Sequence, residues 1–266
     1  MKKFTVTSSA NLKDFTDCTY PQGSFYYSAL LRSGDIRVNG VKVRANVPLN
    51  AGDEVTYYTT AKMESKPSHR AIYAGQRLYV ADKLSGVSTE ALASELGMIA
   101  VHRLDRNTCG AIVFACDEET AQKLVALFRD RQVQKEYVCI CKNAFKARAA
   151  DMTAYLSKDE RRGLVKIVDE PSKGYVPIRT QYEVVEFRGD LAKVNVILHT
   201  GKTHQIRAHM AHIGCPVLGD EKYGDEALNK KYGVKRQLLC SYALSFELDG
   251  QKYSFLSSLA HDFPQK

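Results

Sequence analysis

The residue types best able to do chemistry are concentrated in one segment, His102–Gly110, which reads HRLDRNTCG. It lies directly before an apolar run, AIVFA, that is typical of a buried strand. Ionisable side chains beside a buried strand are costly unless they are paired or used, and Asp105 falls in the loop that leads into this strand. The residues alone leave two interpretations open: a carboxylate nucleophile or base with cations nearby, or a surface salt-bridge cluster.

A second segment, His199–Met210, reads HTGKTHQIRAHM and follows an apolar strand pattern. It predicts a turn at the glycine and then a helix to about Ile213, capped by Thr200 or Thr203. Arg207 would project from the first turns of that helix. From such a fixed position a guanidinium can clamp a carboxylate or a phosphate.

Four histidines in and after this segment raise the question of a metal site: His199, His204, His209 and His212. Their spacings of five, five and three residues match neither HExxH nor a pair at i, i+4. No cysteine joins them at zinc-finger spacing. The sequence therefore predicts no metal, although a metal-dependent hydrolase built on these histidines stays as a rival hypothesis.

Composition narrows the class of protein. The chain has 266 residues, 44% of them hydrophobic, which suits one sizeable domain plus a small one. Its net charge of +8 favours a polyanionic partner. No apolar run approaches the ~20 residues of a membrane helix, and the N-terminus lacks a signal-peptide pattern, so we expect no membrane association and a cytoplasmic location. Without a GxGxxG or Walker-type loop, we expect no nucleotide cofactor.

The polar, proline-containing stretch near residue 65 divides the chain. We predict a small N-terminal module over residues 1–60, a linker over 61–70 and a catalytic domain over 71–266. The module should contain a helix over Leu12–Cys18, a second helix over Phe25–Arg32 capped by Ser24, and a hairpin turning at Asn39-Gly40.

The second region is rich in strand patterns. Strands are predicted near 77–81, 110–116, 134–141, 179–188, 191–198, 237–248 and 252–257. The main helix should begin after a cap at Asp117 and run to about Arg129. Many strands with few, irregularly placed helices predict an α+β domain, a mixed or antiparallel sheet with helices packed on it.

The two segments above, with Gln134–Tyr137 (QKEY) between them, resemble the RluA type of RNA pseudouridine synthase. HRLDRNTCG is similar to that family's HRLDxxTSG motif, and ILHTGKTHQIRAHMAHIGCPVLGDEKYG to its second signature, including the trailing GDxxYG. Cys109 and Lys202 stand where the family usually has serine and arginine. The resemblance covers about residues 71–250. It implies the fold of that family and isomerisation of uridine in RNA without cofactor or metal.

The resemblance also implies the roles of particular residues. Asp105 would be the catalytic carboxylate, held ionised and aimed by a bidentate salt bridge from Arg207, and Tyr137 would lie against the base of an extruded uridine. Asp105 would either attack the anomeric carbon or take a sugar proton, and the sequence leaves both routes open. The residues expected to bind substrate are Arg103, Lys202, His204 and Ile206.

The N-terminal region resembles the S-four-type RNA-binding module, through SALLRSGDIRVNG and LNAGDEV. Its candidate RNA contacts are Lys13, Arg32, Arg37, Lys42 and Arg44. The resemblance implies an RNA partner, ribosomal RNA first and transfer RNA second, and we expect a monomer. The rival hypothesis is a non-catalytic RNA-binding or RNA-chaperone protein that keeps the synthase fold.

Overall fold

The N-terminal region of the computed structural model, which describes residues 1–159 and 163–264, forms three short helices and a small sheet. Its four-stranded sheet has the order β1-β6-β3-β4, and β2 pairs with β5. Its own buried core includes Leu12, Leu30, Ile36 and Val55. The elements are β1 (Lys2–Thr5), β2 (Ala10–Asn11), α1 (Leu12–Thr19), α2 (Pro21–Phe25), α3 (Tyr27–Ser33), β3 (Ile36–Val38), β4 (Val41–Val43), β5 (Pro48–Leu49) and β6 (Glu54–Tyr57).

The helix and the hairpin predicted in this region are confirmed, with one correction. Asn39 and Gly40 both have positive φ, as a tight hairpin turn between β3 and β4 requires. The prediction that Ser24 caps a single helix over 25–32 is wrong, because the chain breaks at Tyr26 into α2 and α3. Ser24 lies inside α2, and its hydroxyl donates to Asp17 at 2.6 Å.

The segment predicted as a linker carries regular structure at both ends. Helix α4 (Ala61–Glu64) begins after Thr60, whose hydroxyl accepts from the Met63 N–H, and strand β7 (His69–Ala74) begins before residue 70. Tyr20 and Thr59 both donate to Glu64, so α4 is tied to the N-terminal core. The polar composition of this segment predicted a loop. A helix this short depends on its cap and its contacts, so it leaves no periodic pattern in the sequence.

Strands β7 to β17 form one large sheet, as the α+β prediction requires. Its order is β13-β12-β14-β15-β11-β16-β10-β8-β7, with β17 on β16 and β9 on β10. All its described pairings are antiparallel except the one between β10 and β16. The remaining strands are β8 (Leu78–Lys83), β9 (Ile99–Ala100), β10 (Cys109–Ala115), β11 (Gln134–Lys142), β12 (Ala149–Asp159), β13 (Leu164–Val168), β14 (Val176–Arg188), β15 (Leu191–Leu198), β16 (Leu239–Leu248) and β17 (Gln251–Leu256).

Helices cover both faces of this sheet near its centre. Helix α5 (Thr89–Leu96) and helix α7 (Gln205–His212) contribute Leu92, Ile206 and Met210 to one core cluster. Helix α6 (Glu118–Arg129) contributes Ala121 and Leu124 to the other. The short helix α8 (Glu226–Lys231) packs Leu228 near the end of β11.

Strand β10 lies between these two cores, so every one of its residues is buried. This explains why the run AIVFA shows no alternation of polar and apolar residues. Gly110 begins the strand with φ +109°, and a β-carbon there would lie 2.3 Å from the Ser241 carbonyl oxygen. Only glycine therefore permits the close approach of β10 to β16 directly after the catalytic-loop candidates.

Within the described residues, the structure contains no helix that is both long and apolar enough to cross a membrane.

Candidate active site

Asp105 and Arg207, which the family resemblance predicted to meet, are joined by an ion pair. Arg207 Nη1 donates to Asp105 Oδ2 at 2.9 Å, and their side chains are 5% and 19% exposed. Asp105 lies in the loop between β9 and β10, and Arg207 lies in the first turn of α7. The Asp105 carboxylate thus borders a cavity while a buried guanidinium fixes its direction.

The ion pair is not bidentate, which corrects the predicted geometry. The fork of Arg207 binds Asp220 instead, with Nε–Oδ2 at 2.6 Å and Nη2–Oδ1 at 2.9 Å. Asp220 is buried and also accepts the main-chain N–H groups of Lys222 and Tyr223. It belongs to the GDEKYG signature, whose aspartate sequence reasoning noted without giving it a role.

The turn that carries Asp220 has its own steric requirement. Gly219 has φ +80°, and a β-carbon there would lie 2.1 Å from the Arg236 carbonyl oxygen. Burial alone would raise the pKa of Asp220, but its hydrogen bonds to Arg207 outweigh burial and lower it. Arg207 is thereby held by a fixed negative charge, and its remaining Nη1 is left to orient Asp105.

The main chain of the Asp105 loop is held by Lys83, a residue to which the sequence analysis gave no role. The Lys83 ammonium is fully buried and donates to the carbonyl oxygens of Val87 at 2.7 Å and of Asp105 and Arg106, each at 3.2 Å. Thr89 adds a hydroxyl that accepts from the Leu104 N–H at 3.1 Å. The loop conformation is therefore specified by side chains from a neighbouring segment.

Tyr137 lies on β11 at the wall of a cavity of about 460 Å³. The cavity also borders on Asp105, Arg207 and Ile206, so it joins the predicted catalytic residues in one space. Burial raises the pKa of the Tyr137 phenol, which keeps the phenol protonated at neutral pH. A volume of this size is ordinary for a small-ligand pocket.

The loop before α7 forms the opposite wall. The predicted Thr200 or Thr203 cap is wrong: α7 begins after His204, which has a left-handed φ of 54° and makes no capping hydrogen bond. Thr200 instead donates to Gln205 Oε1 at 2.8 Å, and the same oxygen accepts the Lys202 N–H at 3.1 Å. Gln205 thus fixes the loop from inside.

His204 is turned toward the GDEKYG segment that ends the second signature. Its Nδ1 lies 2.9 Å from the Tyr223 hydroxyl, and it lines the cavity. Burial lowers the pKa of His204 to about 4, so its imidazole is neutral at pH 7. A neutral ring can serve as a hydrogen-bond partner there without adding charge beside Asp105.

The four histidines do not converge. His199 contacts Gln181 at 3.3 Å, His209 contacts Thr180 at 3.0 Å, and His212 contacts Asp169 at 2.8 Å. Within residues 1–159 and 163–264, no group of three or more His, Cys, Asp or Glu side chains is arranged to hold a metal ion. Each histidine instead has its own local partner.

The cations expected at substrate lie around the mouth of the cavity. Arg103 and Lys202 both line it, and each is exposed. The Arg103 guanidinium lies 3.9 Å from Glu90 and pairs with that residue, not with Asp105.

The N-terminal module contacts the Asp105 loop directly. Arg106 forms an ion pair with Asp17 of α1 and donates to the Ser24 hydroxyl at 2.6 Å. Ser88, the cap of α5, donates to the Asp17 carbonyl oxygen. Sequence reasoning missed this junction, since nothing in local periodicity relates residues 71 or 89 positions apart.

The candidate RNA contacts of the module differ in their surroundings. Lys13 is held by Asp17 and lies over the Tyr27 ring, and Arg37 lies 4.9 Å from the centre of the Tyr58 ring. Arg32, Lys42 and Arg44 are exposed, and Arg44 donates to the Arg32 carbonyl oxygen at 2.8 Å. The exposed cations are therefore those at the end of α3 and on and after β4.

Comparison with known proteins gives a consistent result. Residues 78–212 match the family model described as RNA pseudouridylate synthase. The chain is 28% identical to ribosomal large subunit pseudouridine synthase C of Vibrio cholerae over 250 residues, 82% of this chain and 78% of that protein. It is also 28% identical to the protein of that name from Escherichia coli, over 83% of this chain and 79% of the relative. Human RNA pseudouridylate synthase domain containing 1 shares the fold, with a TM-score of 0.62, 24% identity and coverage of 71% of this chain and 82% of that one.

Proposed function

The chain belongs to the RNA pseudouridylate synthase family, and from this membership we propose that it converts uridine in ribosomal RNA to pseudouridine with Asp105 as the catalytic carboxylate. The observation that carries the proposal is the Asp105–Arg207 ion pair at a cavity large enough for one nucleoside. In this reaction the bond between nitrogen 1 and the ribose breaks, the uracil turns, and carbon 5 joins the ribose. Carbon 5 then loses its proton, and nitrogen 1 gains one.

The unused oxygen of Asp105 supports its chemical role. Arg207 binds Oδ2, whereas Oδ1 has no hydrogen-bond partner within the described parts of the chain. Either route open to this carboxylate, attack on the anomeric carbon or removal of a sugar proton, needs such an available oxygen. Arg207 fixes the direction of the carboxylate, and Asp220 keeps Arg207 in place.

The other cavity residues receive roles that follow from their positions. Tyr137 provides an aromatic wall against which an extruded uracil can lie, and Ile206 contributes an apolar contact. His204 presents a neutral imidazole. Arg103 and Lys202, at the mouth, are placed to meet RNA phosphates or the strand beside the extruded nucleotide.

The proposal that the substrate is ribosomal RNA is supported by the named relatives and by the N-terminal module. The named relatives from Vibrio cholerae and Escherichia coli are ribosomal large subunit synthases. The N-terminal module, with exposed Arg32, Lys42 and Arg44, would bind structured RNA beside the modified position. The complete Asp105, Tyr137 and Arg207 set argues against a non-catalytic RNA-binding protein.

The test is to incubate the protein with total cellular RNA and map pseudouridines at single-nucleotide resolution. Wild-type protein should add pseudouridine at defined ribosomal RNA positions, whereas Asp105→Asn should add none while keeping its fold and most of its RNA affinity.

Asp169→Asn is the matched control, because this exposed carboxylate pairs with His212 at the surface. It should modify RNA as the wild type does. Turnover by Asp105→Asn near the wild-type rate would refute the catalytic assignment, and modification confined to transfer RNA would correct the substrate but not the reaction.

A further inference from the structure

Lys135 is a largely buried residue whose ammonium has no counter-ion among the described residues. The residue is only 8% exposed, and within residues 1–159 and 163–264 its ammonium forms no ion pair or hydrogen bond with another side chain. The charged residue that acts on it is a second cation, Arg131. An ammonium that borders a cavity and has no anionic partner nearby is available to a negatively charged ligand.

The position of Lys135 on β11 places it beside the proposed site of reaction. It lies two residues before Tyr137 on β11, and alternate strand residues share a face, so both side chains point to the same side of the sheet. Both border the cavity that contains Asp105. Their backbones are roughly 6.6 Å apart at 3.3 Å per strand residue, which is within the length of one nucleotide.

A second cavity of about 430 Å³ adjoins the first, and Lys135 lies at the boundary. Both cavities are lined by Arg131, Lys135, Leu198 and His199. Arg179 also lines the second cavity, but its guanidinium is bound to Asp151 by contacts of 2.6 and 3.0 Å. Lys135 and Arg131 are therefore the cations that this boundary leaves available.

The backbone at Arg131 supports a ligand role independently. The Gln132 N–H donates to the Leu127 carbonyl oxygen and the Arg131 N–H to that of Phe128, the pattern that ends a helix at a left-handed residue. Arg131 has φ 59°, in the region where glycine is favoured. Arg131 is exposed and has no ion-pair partner among residues 1–159 and 163–264. Such an arginine at a glycine position favours a function for its side chain over a structural role.

We propose that Lys135 and Arg131 form a subsite for an RNA backbone phosphate next to the extruded uridine. The proposal rests on the proposed function, since the cavity is taken as the place where the uridine is isomerised. Holding this phosphate fixes the strand at the point where the nucleotide leaves its stack. A phosphodiester also supplies the negative charge that the Lys135 ammonium lacks among the described residues.

The first test measures binding alone, in the Asp105→Asn background, so that it does not depend on turnover. A short single-stranded oligouridine is titrated by fluorescence anisotropy at several salt concentrations. Lys135→Gln should reduce the slope of log Kd against log salt by about 0.7, the value for one lost phosphate contact. Lys252→Gln, which removes an equal charge from the exposed end of β17, should leave the slope unchanged.

Arg131→Gly separates binding from folding. Glycine relieves the left-handed backbone, so Tm should rise by about 2 °C while the salt slope falls as for Lys135→Gln. A fall in Tm without loss of slope would assign the Arg131 side chain a structural role only. A rise in Tm without loss of slope would exclude Arg131 from the subsite. Equal slopes for Lys135→Gln and its parent would overturn the subsite.

The third test uses the RNA target identified by pseudouridine mapping and replaces single phosphates by neutral methylphosphonates. One substitution beside the target uridine should weaken binding of wild-type protein about tenfold but have little effect on Lys135→Gln. In turnover, Lys135→Gln should raise KM with kcat unchanged, because the contact is made before and during reaction. A substitution that weakens both proteins equally places the phosphate elsewhere.

Discussion

At the scale of single residues, one guanidinium organises two carboxylates. Arg207 binds Asp220 through its fork and Asp105 through the nitrogen that remains. Asp220 is fully buried, whereas Asp105 is partly open to the cavity. The division of labour follows from that difference in burial: Asp220 is fixed by main-chain and arginine donors, and Asp105 keeps an oxygen for chemistry.

Asp220→Asn should therefore disable the enzyme without touching the cavity wall. The amide would turn a donor toward Arg207 and leave the buried guanidinium short of negative charge. We expect kcat to fall about 100-fold through misplacement of Asp105 and the free energy of unfolding to fall by about 3 kcal/mol. Single-turnover rates at saturating RNA and denaturant unfolding measure the two effects.

Glu221→Gln is the control for Asp220→Asn, because this neighbouring carboxylate is exposed. It should retain both rate and stability. If Asp220→Asn reacts as fast as Glu221→Gln, Arg207 does not need its buried partner to aim Asp105.

Sequence reasoning found Asp105 and Arg207 and missed Asp220 and Lys83 as partners, for a physical reason. Motif spacing identifies residues that must act, whereas Asp220 and Lys83 act through contacts that only the folded chain creates. Lys83 reaches the Asp105 carbonyl across 22 residues of sequence. The predicted bidentate bridge failed similarly, because Asp220 occupies the Nε and Nη2 donors of Arg207 and the sequence did not show that it would.

At the scale of elements, the Asp105 loop is held between β8 and α5. Lys83, the last residue of β8, binds three carbonyl oxygens of the turn that follows it and of the loop at 3.2 Å or less. Burial lowers the pKa of Lys83 to about 7. The pKa of Lys83 is thus near 7 in the folded chain and near 10.4 in the unfolded chain.

This difference predicts how stability depends on pH. Below about pH 7 the buried ammonium is charged in both states, and above about 10.4 it is neutral in both, so between these values the unfolded chain binds more protons. The free energy of unfolding should rise with pH across that window, by no more than about 4 kcal/mol. Denaturant unfolding from pH 7 to 10 tests this against Lys83→Met, which should lack the rise.

Lys83→Met also removes hydrogen bonds and should be less stable at every pH, so the informative quantity is the slope. Lys252→Met, at an exposed position on β17, serves as the control and should follow the wild-type curve. Parallel curves for all three proteins would show that Lys83 does not change its protonation on unfolding.

Helices and strands with strong local sequence patterns were the ones predicted from the sequence. Helix α6 combines the Asp117 cap with a continuous apolar face, and it begins and ends where the sequence predicted. Helix α5 and strands β12 and β13 were not predicted. Strand β12 and the edge strand β13 have few buried residues, so burial left little signal in their sequences. Helix α5 is a two-turn helix stabilised by its Ser88 cap and by burial of Leu92.

At the scale of the whole molecule, the N-terminal module and the large sheet have separate cores joined at the Asp105 loop. The module core includes Leu12 and Val55, and the adjacent sheet core includes Leu92 and Leu104. Between them, Asp17 pairs with Arg106, the residue after Asp105. Deleting residues 1–60 would therefore disturb the loop as well as remove the proposed RNA-binding surface.

Substitution of the exposed cations is the cleaner test of the module. Arg32, Lys42 and Arg44 lie away from the Asp17–Arg106 junction, so changing all three to alanine should leave the Asp105 loop intact. If each contacts one phosphate, the slope of log Kd against log salt should fall by about 2 to 3. Because these contacts act equally before and during reaction, kcat at saturating RNA should stay at the wild-type value.

The matched control removes the same charge from the large domain, at exposed Lys173, Lys230 and Lys252. If the loss of affinity came only from lowering the net charge of +8, the two triple variants would weaken RNA binding alike. A larger loss of slope for the module variant assigns RNA binding to that surface. Equal losses, or a fall in kcat for the module variant alone, would instead limit the module to supporting the Asp105 loop.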